Sequence, residues 1–149
     1  MKQYAYTGIA GALAMALADS ILLGQPVSGS HFDLSSFGAM EYSNSQQAAL
    51  GTLAGLVAAF FICFGYAYLR HFFRQAGAGE ANWLFISLCS TMFFGGAFHA
   101  GYYFLVPPAI GPQLNSVVYQ QHINYLQLIS YLSVPGFIAG SILFFKLAL

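Results

Sequence analysis

The chain has 149 residues, of which 58% are hydrophobic, 17% aromatic and only 5% charged, and its formal net charge is zero. Soluble domains carry roughly 25% charged residues, so this composition excludes a wholly water-facing surface and indicates a polytopic membrane protein in contact with a lipid bilayer. The four Lys and Arg residues are scattered along the chain, which argues against a nucleic-acid partner.

About 20 apolar residues in a helix cross the hydrocarbon of a bilayer, and backbone amides there must be satisfied within the segment. The first such stretch is predicted over about residues 4–24. Lys2, the apolar run after it and Ala16-Leu17-Ala18 imitate a secretion signal, but the basic region is thin and the stretch reads as a span. Gly8, Ala12, Met15 and Asp19 share one helical face, placing small residues and an acid together towards the bundle interior.

Residues 25–45 form a Gly- and Ser-rich loop containing His31, Asp33 and Glu41, with Phe32, Leu34, Phe37 and Met40 suited either to the bilayer surface or to capping the bundle. Ser43 and Gln46 have the spacing of a capping box. The second helix is predicted over about 46–71, with a small-residue stripe at Gly51, Gly55 and Ala59. Arg70 and Arg74 close it, and Gly77 and Gly79 supply the turn.

The third helix, predicted over 83–106, opens on the interfacial residue Trp83 and carries His99 in an otherwise uncharged run. An ionisable side chain at membrane depth marks a site, a pathway or a paired contact; it is also satisfied by a simple hydrogen bond within a bundle. Gly96/Ala100 and Ala97/Gly101 allow another helix to approach, while Gly95, Tyr102 and Tyr103 lie at helical spacing from His99. Pro107, Pro108 and Pro112 keep the next connection irregular. Asn115 or Ser116 can then cap a fourth helix over about 117–146, kinked at Pro135.

The resulting fold is all-α, a single domain over residues 1–149 forming a polytopic membrane four-helix bundle. Lys2, Arg70, Arg74 and Lys146 all fall on one side of it, so the positive-inside rule makes both termini cytoplasmic and the location the cytoplasmic (inner) membrane. Asp19 then lies roughly 7 Å and His99 roughly 10 Å inside the outer boundary, and the two are predicted to meet. Such a pair would lower the cost of burying either group.

His122 enters from the same side, and Gln120, Asn124, Gln127 and Tyr131 form a polar stripe on the fourth helix. The stripe fits either a water-filled cavity or a helix end standing in the headgroup region. The sequence-predicted ligand pocket is therefore Asp19, His99, Tyr103, His122, Asn124 and Gln127.

No cofactor is specified. His99 and His122 lie at similar predicted depth, as axial haem ligands would, yet no HExxH or HxxxH spacing occurs. A hydrolytic triad of Ser20, His99 and Asp19 conflicts with adjacent helical residues pointing about 100° apart. Cys63 and Cys89 fall inside apolar runs without metal-type spacing and read as buried structural thiols, at similar depth on consecutive helices.

Ala18-Asp19-Ser20-Ile21-Leu22-Leu23, the Gly-rich second helix with its aromatic-basic end, and Gly95-Gly96-Ala97-Phe98-His99-Ala100 together resemble an uncharacterised bacterial multi-helix membrane family, a domain of unknown function. The resemblance implies that Asp19 and His99 correspond to the Asp late in helix one and the His of helix three in that family. Ala18 stands where the family has Gly. The resemblance implies continuation into further helices, so the chain reads as a short member or a fragment.

The resemblance supplies no activity. The first functional expectation is a non-enzymatic membrane component with an outward-facing Asp/His pocket that binds a small ligand or lipid, or serves as a subunit of a membrane complex. Small-residue stripes suit self-association or partner helices. The alternatives are a membrane-embedded enzyme or redox or metal-binding subunit using His99 with Asp19 or His122, and a proton-coupled transporter.

Overall fold

The computed structural model describes residues 2–23, 44–105 and 116–149. It contains four α-helices in chain order: α1 (Lys2–Leu23), α2 (Ser45–Phe73), α3 (Ala78–Tyr102) and α4 (Ser116–Ala148). A 3₁₀ turn, Tyr103–Leu105, continues α3. All four helices are long and apolar enough to cross a membrane. The expectations for 25–43 and 106–115, including the His31, Asp33 and Glu41 loop, lie outside the described residues.

The observed bounds exceed the predicted spans at most ends. α3 begins at Ala78, five residues before Trp83, because Gly77 caps it directly after the turn. The capping box of α2 is one residue later than the sequence pattern placed it. Asn44 accepts from the Gln47 backbone N–H at 2.9 Å, and Gln47 Oε1 accepts from the Asn44 N–H at 3.1 Å. Asn is as good a cap as Ser, so the Ser43/Gln46 spacing was a near-degenerate alternative. α4 runs unbroken through Pro135.

Sequence neighbours are spatial neighbours: α1 packs on α2, α2 on α3, and α3 on α4, while α1 and α4 share no extended interface among the described residues. Close approach depends on missing side chains. Gly8 of α1 lies against Gly65 of α2, backbone to backbone, and Gly11 meets the backbone of Ile62. In lipid there is little hydrophobic drive between helices, so such contacts and interhelical hydrogen bonds carry the association.

The α1 interior face differs from the sequence-predicted one. Gly8, Gly11, Ala18 and Leu22 are buried, whereas Ala12 is exposed and Asp19 lies at the edge of the face. The uniformly apolar helix gives no amphipathic signal to fix its rotation. On α2 the predicted stripe is observed, with Gly51, Gly55 and Ala59 all buried.

Two clusters close the ends of the bundle. Leu22, Tyr102 and Leu126 join α1, α3 and α4 at one end. Phe73, Ala81 and Leu84, with Leu143 and Leu147, join α2, α3 and α4 at the other. The latter end also carries polar ties: Arg70 Nε donates to Asn82 Oδ1 at 2.6 Å, and Lys146 Nζ donates to Glu80 Oε1 at 3.2 Å. The Arg70 guanidinium lies 5.6 Å from the Phe85 ring centroid, within cation–π range.

Candidate functional site

Asp19, near the end of α1, meets His99, in the last turn of α3. His99 Nε2 lies 3.1 Å from Asp19 Oδ1, so the imidazole N–H donates to the carboxyl. The His99 side chain is 10% exposed and that of Asp19 47%. The imidazole is thus the interior member of the pair and the carboxyl its open member.

The chain builds this contact through glycine. Gly55 of α2 leaves the space that the His99 ring fills, and a Cβ at position 55 would lie 2.5 Å from Nδ1. One turn earlier, Gly51 receives Leu22 in the same way. Tyr102, 4% exposed, presents its ring edge-on to His99 with centroids 5.5 Å apart.

With the Nε2 proton directed at Asp19, Nδ1 is an acceptor. It is buried without a hydrogen-bond partner among the described residues, as is Thr52 Oγ1, three residues from Gly55 on α2. An unsatisfied buried polar atom costs about 1–3 kcal/mol, and native structures hold few. Both such atoms belong to residues on the α2 and α3 sides of the small-residue contact around Gly55. Sequence patterning singled out neither Thr52 nor the role of Gly55 beneath the ring; a Thr three residues before the stripe glycine was the available signal.

The remaining predicted pocket residues are placed elsewhere. Tyr103, 37% exposed, pairs with the Phe104 ring, so Tyr102 is the tyrosine beside the imidazole. His122 Nε2 is 3.0 Å from the Gly101 carbonyl, and its ring meets Phe104 edge-on. Gln120 Nε2 donates to Asn124 Oδ1 at 3.1 Å along the surface of α4, and Gln127 and Tyr131 are exposed. The α4 stripe residues are therefore exposed side chains.

Among the described residues no three His, Cys, Asp or Glu side chains converge to hold a metal ion. Cys63 and Cys89 are free thiols. No family model, curated protein or solved structure matches this chain.

Proposed function

We propose that this is a multi-pass protein of the cytoplasmic membrane, with both termini on the cytoplasmic side, and that its Asp19–His99 pair forms an outward-facing binding site. In this reading the protein is a non-enzymatic component, akin to the uncharacterised bacterial family that its Asp and Gly-Gly-Ala-Phe-His-Ala segments resemble. The ligand is a small molecule or lipid headgroup carrying a cationic or hydrogen-bond-donating group. Asp19 receives that group and His99 positions the carboxyl.

The observation that carries the reading is the 3.1 Å contact between a buried imidazole and a half-open carboxyl on two separate helices. An isolated ionisable group at membrane depth is expensive, and a pair held together there defines a polar site in apolar surroundings. The engagement of His122 with a backbone carbonyl gives no support to a His99–His122 cofactor site.

The test is mass spectrometry of small molecules and lipids retained by the purified protein. A species bound by wild type and lost from both Asp19→Asn and His99→Gln, with helicity unchanged, is the expected result. Identical retention by all three proteins would remove the site.

A further inference from the structure

A second constellation lies between α2 and α3, away from Asp19 and His99. A cavity of about 890 Å³ opens there, and three of its lining residues, Cys63, Cys89 and Met92, carry sulfur. Cys63 of α2 and Cys89 of α3 line it from facing helices. Met92 follows Cys89 by one helical turn, so its thioether projects from the same face of α3. Phe60, Phe85 and Phe94 also line the cavity, and among the described residues no imidazole or carboxylate does.

We propose that Cys63, Cys89 and Met92 form a binding site for a soft monovalent cation, of which Cu(I) is the representative. Thiolate and thioether donors select such ions, whereas structural zinc takes four ligands. Both coordinating thiols deprotonate on binding: two S–H bonds break, two S–Cu bonds form, and two protons leave to water with no change in oxidation state. The Met92 thioether completes three-coordination as a neutral donor.

Two polarisable thiols thus share a lining otherwise made almost wholly of hydrocarbon. A bound metal deprotonates its coordinating thiol outright, so the site needs no neighbouring base.

The experiment is anaerobic titration of the purified, detergent-solubilised chain with Cu(I) against a chromogenic Cu(I) chelator. Wild type is expected to take up one equivalent, with a near-ultraviolet thiolate-to-copper band. Cys63→Ser and Cys89→Ser should each weaken binding by roughly a hundredfold or more, and Met92→Leu by about tenfold, since each removes one of three donors. Asp19→Asn should bind as wild type does. A measurement without variants runs in parallel: one equivalent of Ag(I) should protect both thiols from a membrane-permeant maleimide. Absence of stoichiometric uptake, wild-type affinity in the Cys63→Ser/Cys89→Ser double variant, or unprotected thiols would each overturn the proposal.

Discussion

Substituting Gly55 by Ala tests the packing that holds His99 against Asp19. The added Cβ would lie 2.5 Å from Nδ1, 2.8 Å from Cγ and 3.1 Å from Cε1 of the imidazole. Ordinary contact begins at 3.4 Å, so about 0.9 Å must be found (3.4 − 2.5). Either the ring turns off its 3.1 Å contact with Asp19 or α2 retreats from α3. Overpacking of this kind costs about 1–3 kcal/mol, and the lost hydrogen bond about 1 kcal/mol more. Against that, Gly to Ala inside a helix gains up to about 1 kcal/mol. The expected net effect is a destabilisation of about 2 kcal/mol, read from unfolding in mixed micelles by circular dichroism. Gly95→Ala is the matched control, because no described residue lies within 4 Å of a Cβ built there; only the propensity gain applies, and that variant should be equal to wild type or more stable. If Gly55→Ala proves as stable as Gly95→Ala, the imidazole does not occupy the space above Gly55 and the site geometry is wrong.

Asp19→Ala and His99→Ala should be non-additive in a double-mutant cycle, with a coupling of about 1 kcal/mol because one partner is half open to its surroundings; strict additivity would show that the two side chains do not interact. Gly8→Leu should separate α1 from α2, since the Gly65 backbone occupies the space a side chain would need, and a cysteine cross-link between those helices away from the crossing should then fail to form. Lys146→Gln removes an exposed pair with Glu80 and should leave stability unchanged within error at physiological salt, so a measurable loss would mean that the pair is shielded from screening. Single cysteines introduced at Gln75 and at Lys2 should both react with an impermeant maleimide only from the cytoplasmic face; labelling of either from outside would reverse the proposed orientation.

Much of the architecture was legible because span length and composition are strong signals in a bilayer. The Asp19–His99 contact was legible as well, because counting residues from the helix ends placed both groups at similar depth; the GxxxG-type stripe on α2 marked only where another helix could approach. Rotation about each helix axis was far less legible. A soluble helix advertises its buried face by its apolar side, but α1 is apolar all round, and its interior passes through Gly11 instead of Ala12. The same ambiguity exchanged Tyr103 for Tyr102, which lie at i+4 and i+3 from His99 and both suit a helical neighbour. On α4, the helical spacing of Gln120, Asn124, Gln127 and Tyr131 revealed a polar face but not what the face looks at.

The 33 residues of α4 make a rod of about 50 Å, against about 33 Å for the 22 residues of α1. A hydrocarbon slab of about 30 Å that ends beside Lys146 covers only some 20 residues, back to the neighbourhood of Leu126. With the slab so placed, the preceding two to three turns would stand proud of it as a stalk, leaving the side-chain amides of Gln120 and Asn124 to water and headgroups. Leu126, buried against Tyr102 and Leu22, would then fall at the waterline, where such a stalk joins the part of the chain set in lipid.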